Sequence, residues 1–284
     1  MVLVNGEPAD TISIYDRALH YGDGLFETIA VIDGEPQRWD RHMARLQTGA
    51  QRLGLPAIES GRLHEETLRV CRDSARAVVK LIVSRGSGPR GYRATRHQGA
   101  VTRIIMMTDW PEYPEYYYTE GIRLRLCDTR LGWNPQLAGI KHLNRLEQVL
   151  ARSEWYDPEI PEGLMQDQAG QVIEGTQSNI FIVCAGCLLT PALTQCGVAG
   201  VMREHIIEMA GHLHIPVSET TLSLTDIHKA DEVFMSNTLI GIWPVRLFEG
   251  STYALGPVCR RLLTGIATPR RSITDDNDAP VASA

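Results

Sequence analysis

The chain has 284 residues, of which 43% are hydrophobic and 22% charged, and its formal net charge is -6. This composition is typical of a globular protein with one large or two ordinary domains. An acidic chain without an evident basic face argues against a nucleic-acid partner. No apolar run reaches the roughly 18 residues of a membrane-spanning helix, and the chain begins with a strand and a turn rather than a leader. We therefore expect a cytoplasmic protein with no membrane or nucleic-acid partner.

The first 110 residues mix strands and helices. Asn5-Gly6, flanked by alternating apolar residues, predicts a hairpin. Two glycines, Gly22 and Gly24, precede a predicted strand, and no helix or Gly-Lys-Ser/Thr follows, which excludes a phosphate loop of the P-loop type. Hydrophobic periodicity predicts helices at 38–53 and 59–71 and paired strands at 78–83 and 103–108. Strict strand–helix alternation is absent, so residues 1–110 are predicted as a small α+β domain, an α/β sandwich.

Residues 111–121 contain two prolines and four tyrosines without apolar periodicity, and we interpret them as an interdomain linker. A larger domain at 122–267 follows, with strands predicted at 122–127, 163–166, 179–183, 187–190, 216–219 and 231–236. Helices are predicted at 142–156, 201–213 and 256–266. Many short strands and few helices favour a β-rich pseudobarrel, and the whole chain is therefore predicted as a two-domain α+β fold. Residues 268–284 are too polar to pack and are predicted to be disordered.

Two of the six cysteines, Cys184 and Cys187, have the spacing of a redox or zinc motif. No second pair of cysteines or histidines accompanies them, and they follow a strand of apolar residues. We interpret the four residues 184–187 as a hairpin turn with reduced thiols, and predict no metal site.

Lys141 lies between an irregular loop and a predicted amphipathic helix, on which Leu143, Leu146, Leu150 and Trp155 fall near one face. We expect the leucines of this face to be buried and to fix the base of the lysine side chain against its domain. If a cleft desolvates the lysine, its pKa falls and the free amine becomes available for chemistry. A solvated lysine at a helix start is the simpler interpretation of this stretch taken alone.

Further candidates have equally plain alternatives. Glu174 lies between two apolar strand segments, as a turn residue or as a buried carboxylate that needs a cation. Glycines bracket a helix that begins at Val201, where free backbone N–H groups could bind an anion. Polar side chains also occur at one strand start and one strand end, namely Ser178, Asn179, Ser236, Asn237 and Thr238. A lysine, a carboxylate and an anion site together are what a pyridoxal phosphate enzyme requires.

The same residues resemble the fold-type IV pyridoxal-phosphate enzymes, a group of branched-chain aminotransferases, D-amino acid aminotransferases and aminodeoxychorismate lyases. The resemblance extends from Asn5 to about Pro244. It depends on Asn5-Gly6, residues 16–18, 21–27 and 42–46, Lys141, residues 174–179, 200–203 and 236–238.

Within this group, residues 85–92 and 131–150 are most similar to the bacterial aminodeoxychorismate lyases. The resemblance implies 4-amino-4-deoxychorismate as the substrate, 4-aminobenzoate and pyruvate as products, a role in folate synthesis, and a homodimer. The alternative is a D-amino acid or branched-chain amino acid aminotransferase. A cofactor-binding protein that has lost catalysis is a third possibility, against which the presence of both Lys141 and Glu174 argues.

The resemblance also implies a role for each site residue. Lys141 would bind pyridoxal 5'-phosphate covalently, and Glu174 would pair with its pyridine nitrogen. The other expected cofactor contacts are Arg45, Val201, Met202, Thr238, Ser178 and Asn179.

On the substrate side, Thr28 is expected to face the reacting molecule and to take part in catalysis, and Asn237 is a candidate substrate contact. Two substrate carboxylates require cations, and Arg85 and Arg90 on a glycine-rich loop are the candidates. The alternative is that this loop is solvated and binds nothing.

Overall fold

The computed structural model describes residues 1–94 and 101–266 and contains two β-sheets with helices packed on them. This arrangement confirms the predicted α+β class. The predicted disorder of residues 268–284 lies outside the described residues.

A six-stranded sheet forms the N-terminal half, in the order β2-β1-β6-β5-β3-β4. Its strands are β1 (Val2–Val4), β2 (Glu7–Pro8), β3 (Gly24–Ile32), β4 (Glu35–Pro36), β5 (Arg76–Ser84) and β6 (Thr102–Asp109). The accompanying helices are α1 (Arg17–Tyr21), α2 (Trp39–Leu53) and α3 (Ser60–Cys71). Apolar side chains from α2, α3 and the long strands form one core beneath the sheet, with Met43, Leu46 and Leu63 fully or almost fully buried.

A nine-stranded sheet forms the C-terminal half, in the order β12-β11-β10-β13-β14-β7-β8-β9, with β15 beside β14. The strands are β7 (Ile122–Leu126), β8 (Glu162–Gln166), β9 (Val172–Gly175), β10 (Asn179–Cys184), β11 (Cys187–Pro191), β12 (Val217–Thr220), β13 (Glu232–Asn237), β14 (Gly241–Phe248) and β15 (Ser251–Thr252). The helices of this half are α4 (Tyr116–Thr119), α5 (Leu146–Arg152), α6 (Val201–His212), α7 (Leu224–Lys229) and α8 (Pro257–Gly265). The sheet curls until Val172 of β9 donates a backbone hydrogen bond to Leu222, just beyond β12. This curl confirms the predicted pseudobarrel.

The segment interpreted as a linker contains the short helix α4. Tyr117 of this helix is buried, and its ring lies 5.2 Å from the ring of Trp243 in β14. The tyrosines that make the segment unlike a periodic helix thus pack edge-on around one tryptophan, and the linker joins the second core.

The structure confirms that residues 184–187 form a hairpin turn. Cys184 and Cys187 pair directly across β10 and β11, and both thiols are free. Ala185 and Gly186 between them have φ of 48° and 77°, as the two central residues of a type I′ turn require.

The predicted helix at 142–156 is wrong in extent and in orientation. Helix α5 begins only at Leu146, and Leu146 and Leu150, predicted as buried, are 75% and 61% exposed. The segment before it, up to Leu143, is extended and bonds to β3 instead of forming a first helical turn. Apolar residues therefore do recur at helical spacing in this segment, but Leu146 and Leu150 do not face the core of this chain.

Within the described ranges, none of the helices has the length and apolar character needed to cross a membrane.

Candidate active site

A cavity of about 510 Å³ lies between the two sheets and brings most of the predicted site residues together. Its walls include ten of them: Thr28, Arg45, Lys141, Glu174, Ser178, Asn179, Val201, Met202, Asn237 and Thr238. Residues from the N-terminal sheet, helix α2, the curled sheet and the start of α6 thus share one surface.

Backbone hydrogen bonds on both sides hold Lys141 in place. Phe26 of β3 donates to the carbonyl of Lys141 at 3.0 Å, and Leu143 donates to Gly24 at 3.0 Å. Two residues before the lysine, Gly139 donates to the Gly197 carbonyl at 2.8 Å. The lysine is therefore fixed by strand-like pairing between the two halves of the molecule, rather than by buried leucines of the following helix as the sequence had suggested.

The Lys141 amine is a poorly compensated cation. Burial, with the nearby Arg45 charge, lowers the pKa of Lys141 from 10.5 to about 8. Its Nζ lies 4.5 Å from the centroid of the Phe26 ring, and no carboxylate of residues 1–94 or 101–266 comes within 4.0 Å of it. Near neutral pH an appreciable fraction of such an amine is neutral and can act as a nucleophile or base.

We expect Lys141→Met to raise the melting temperature of the cofactor-free protein at pH 7. A lysine whose folded pKa lies below its unfolded pKa binds fewer protons when folded, so its destabilisation is complete below pH 8 and disappears as the pH approaches 10.5. The gain in melting temperature should shrink across that window, which calorimetry at pH 7 and pH 10.5 measures. An equal gain at both values would contradict the low pKa.

Glu174 is a buried carboxylate at the opposite wall. It is 4% exposed on β9, and one oxygen accepts from the Val198 N–H at 2.8 Å. The other oxygen has a single long contact, with the Gln148 amide at 3.5 Å. Burial raises the pKa of Glu174, and the Val198 hydrogen bond with Arg145 and Lys141 opposes that rise only in part. An oxygen with spare acceptor capacity thus belongs to a residue of the cavity lining.

The start of α6 forms an anion site at a third wall. Gly200 is the N-cap residue and no side chain caps the helix, so the first N–H groups at Val201 and Met202 remain available. Asn179 shapes the approach by donating to the Val198 carbonyl at 2.9 Å. A Cβ on Gly200 would lie 2.0 Å from the Asn179 side-chain oxygen, so the turn requires glycine.

Arg45 is held beside this helix start by residues that the sequence analysis quoted without assigning a role. Its Nε donates to Glu27 at 2.9 Å, a second arm donates to the same carboxylate, and Nη1 donates to the Ala199 carbonyl at 3.0 Å. His42 Nδ1 lies 2.7 Å from the other side of Glu27. Although burial raises it, the Arg45 charge and His42 bring the pKa of Glu27 down to about 2. Glu27 therefore remains ionised and aims the guanidinium.

Glu27→Gln is expected to lower the free energy of unfolding by about 3–5 kcal/mol, because it leaves a partly buried arginine without its counter-charge. Because the pKa of Glu27 is lower in the folded state, the stability that Glu27 contributes is complete above pH 4.5 and decreases as the pH falls toward 2. Urea unfolding at pH 7 and pH 3 tests both statements. Glu65→Gln, on the exposed face of α3, is the control.

Other predicted residues lie at the cavity with their side chains engaged. The Ser178 hydroxyl donates to buried Glu162 at 2.6 Å, and Asn237 accepts from the Leu239 and Ile240 N–H groups, both at 2.9 Å. Thr238 donates to the backbone carbonyl of Thr28 at 3.1 Å, which joins the two halves across the cavity.

The two arginines predicted for the substrate carboxylates do not line this cavity. The Arg85 guanidinium donates hydrogen bonds to both oxygens of Asp23 and to the carbonyls of Leu53 and Gly54, and Arg90 is exposed. Arg145 and Arg152 line the cavity instead, and the sequence analysis did not single them out. Their seven-residue spacing on α5 was the signal available.

This donor set matches the needs of pyridoxal phosphate. The phosphate requires N–H groups and a cation, which α6 and Arg45 supply, and the pyridine nitrogen requires a carboxylate, which Glu174 supplies with a free acceptor site. Lys141 offers the amine. The fold and site thus define a pyridoxal-phosphate type of enzyme.

The chain belongs to the amino-transferase class IV family, whose model matches residues 24–248. Among curated relatives, the chain is 34% identical to an aminodeoxychorismate lyase of Vibrio harveyi over 94% of this chain and 100% of that protein.

Solved structures give the same grouping. A 4-amino-4-deoxychorismate lyase from Pseudomonas aeruginosa is 44% identical with a TM-score of 0.89, over 93% of this chain and 97% of that one. A branched-chain amino acid aminotransferase from Escherichia coli is 30% identical with a TM-score of 0.82, over 94% of each chain.

Proposed function

We propose that the protein is a pyridoxal-phosphate-dependent lyase that converts 4-amino-4-deoxychorismate to 4-aminobenzoate and pyruvate. The carrying observation is the charge of the cavity: among the described lining residues, Arg45, Lys141, Arg145 and Arg152 are cationic and Glu174 is the one carboxylate, and of these four cations Glu27, outside the lining, pairs with Arg45 alone. A cofactor phosphate and a substrate with two carboxylates match that excess. The similarity to two lyases of this name supports the same choice. Folate synthesis in the cytoplasm is part of the proposal.

Lys141 would hold the cofactor, with Glu174 at its pyridine nitrogen and Arg45, Thr238 and the α6 start at its phosphate. When bound, pyridoxal phosphate supplies an electron sink for the carbon that bears the substrate amine.

The protein's own residues supply the proton chemistry. The Lys141 amine would take the proton from the amine-bearing carbon, and the buried Glu174 carboxylate would keep the pyridine nitrogen protonated. The carbon–oxygen bond to the enolpyruvyl group then breaks, and the ring becomes aromatic. Thr28, on β3 in the cavity lining, would hydrogen-bond the departing oxygen or orient the lysine. Atoms balance without water: the substrate becomes 4-aminobenzoate and pyruvate.

The test is incubation with 4-amino-4-deoxychorismate while 4-aminobenzoate and pyruvate are measured, with no amino-group acceptor present. The lyase predicts equal amounts of both products. Product formation only after a keto acid is added would favour the aminotransferase alternative, which the likeness to the branched-chain enzyme keeps as the second candidate.

We also propose that the protein forms a homodimer. Helix α5 leaves three apolar side chains in solvent, with Leu146, Val149 and Leu150 each more than half exposed. A contiguous apolar helix face beside an active-site cavity suits burial against a second copy.

Leu150→Glu is therefore expected to shift the protein from dimer to monomer, because it places a charge in the apolar contact. Analytical ultracentrifugation measures the change, and Ala254→Glu, at an exposed position of the second half, is the control. A wild-type protein that is monomeric at micromolar concentration would contradict the proposal.

A further inference from the structure

Helix α5 turns one complete helical face toward the cavity. The cavity-lining residues of this region are spaced at i, i+3, i+4, i+7 and i+8: Arg145, Gln148, Val149, Arg152 and Ser153. Arg145, the N-cap residue, and Arg152, the last residue, stand on that face two turns apart. A rise of 1.5 Å per residue separates their backbones by about 10 Å along the helix.

Arg145 is a fixed cation without a carboxylate partner. Its Nε donates to the His142 carbonyl at 3.0 Å, and its Nη2 lies 2.7 Å from His142 Nε2. Burial and the Arg145 charge lower the pKa of His142 to about 4, so the ring is neutral and accepts that hydrogen bond. In the described part of the chain, Arg145 forms no ion pair and its Nη1 makes no hydrogen bond.

That arrangement is costly unless an anion completes it. A half-buried guanidinium loses hydration on folding, and its direct partners here are a carbonyl and a neutral imidazole, while Glu174 and Glu147 act on its charge without forming an ion pair with it. The hydrogen bonds of Nε and Nη2 fix the orientation of the guanidinium, and Nη1 remains available to bind an anion at the cavity wall.

Arg152 is anchored in a similar way at the outer end of the face. Its Nη1 donates to the Trp155 carbonyl at 3.3 Å, and its guanidinium stacks 4.5 Å from the centroid of the Trp155 ring. Trp155 is itself buried, so it holds an otherwise exposed arginine at the cavity rim.

We propose that Arg145 and Arg152 on this face of α5 bind the two carboxylates of the substrate, an inference that rests on the proposed function. In 4-amino-4-deoxychorismate the enolpyruvyl ether is attached beside the amine-bearing carbon, whereas the ring carboxylate lies across the ring from the amine. The amine must approach Lys141. In this proposal Arg145, at the start of the face, binds the enolpyruvyl carboxylate, and Arg152, about 10 Å further along the helix, binds the ring carboxylate.

Two probes that lack an amine test this assignment without turnover. 3-(Carboxymethoxy)benzoate carries both carboxylates, and 3-methoxybenzoate carries only the one on the ring. Calorimetric titration of the holoenzyme should show that Arg145→Gln weakens the dicarboxylate about 10- to 100-fold and leaves the monocarboxylate within about twofold. Arg152→Gln should weaken both probes. Arg145→Lys, which keeps the charge but loses the planar fork, should fall between Arg145→Gln and the wild type.

The controls separate this proposal from its alternatives. Arg260→Gln, on the exposed side of α8, should bind both probes as the wild type does. Unchanged probe binding in Arg145→Gln and Arg152→Gln overturns the proposal, as does an equal loss of both probes in Arg145→Gln. Weaker pyridoxal phosphate binding to apo Arg145→Gln, with probe affinities intact, would assign Arg145 to the cofactor and also overturn it. If the probes bind through the two arginines but no 4-aminobenzoate forms, Arg145 and Arg152 still bind carboxylates, and the proposed lyase activity is refuted.

Discussion

Lys141→Ala is expected to lower turnover of 4-amino-4-deoxychorismate by at least about a thousandfold, because it removes the side chain that we propose both holds the cofactor and acts as the base. The fold should survive. The strand-like pairing around residue 141 uses backbone atoms, and the Lys141 side chain forms no ion pair with a described residue. Stopped assays for 4-aminobenzoate measure the loss, and circular dichroism measures the fold.

A matched control distinguishes the chemistry of this lysine from its charge. Lys141→Arg keeps a cation in the cavity but supplies no amine of low pKa, so it should be as inactive as Lys141→Ala and should lack the visible absorbance of covalently bound cofactor. Lys80→Ala, on β5, removes a lysine outside the cavity lining and should retain activity. Near-normal turnover in Lys141→Ala would refute the assignment of this residue.

The elements that could be read from the sequence are those whose signal is local. The helices at 38–53 and 59–71 and the strand at 78–83 have clear apolar periods, and the structure confirms them within one or two residues. Strands β9 and β14 were not among the predicted strands, and in β14 Pro244 interrupts the run of apolar residues that would have indicated a strand. Lys141 and Glu174 could be proposed as cofactor contacts from the resemblance of their surrounding sequence, and the structure brings both to the same cavity.

The positions of the arginines relative to the cavity could not be predicted from the sequence in this way. Arg85 belongs to a glycine-rich loop that suggests a binding segment, but Asp23, 62 residues earlier in the chain, holds its guanidinium away from the cavity. Helix α5 carried a leucine pattern that predicts burial, yet those leucines are exposed and the arginine-bearing face lines the cavity. Both facts depend on how the two halves meet, which periodicity along one segment does not encode.

Glu174→Gln is the second substitution with a large expected effect, and it separates electronic from structural roles. The amide oxygen of glutamine still accepts from the Val198 N–H, so the turn before α6 should keep its shape and the melting temperature should change little. The negative charge is lost, however, and the pyridine nitrogen is no longer kept protonated. We expect turnover to fall at least about a hundredfold while the enzyme still binds pyridoxal phosphate.

Steady-state kinetics and titration of the apoenzyme with pyridoxal phosphate measure the two quantities separately. Glu147→Gln is the matched control, because Glu147 lies on α5 and accepts from the Gly132 N–H at 2.8 Å but does not line the cavity. If Glu174→Gln loses cofactor affinity and turnover in parallel, the carboxylate serves mainly to bind the cofactor. If it loses neither, Glu174 has no part in the chemistry. A selective loss of turnover is the outcome that the proposed role of Glu174, a charged partner of the pyridine nitrogen, predicts.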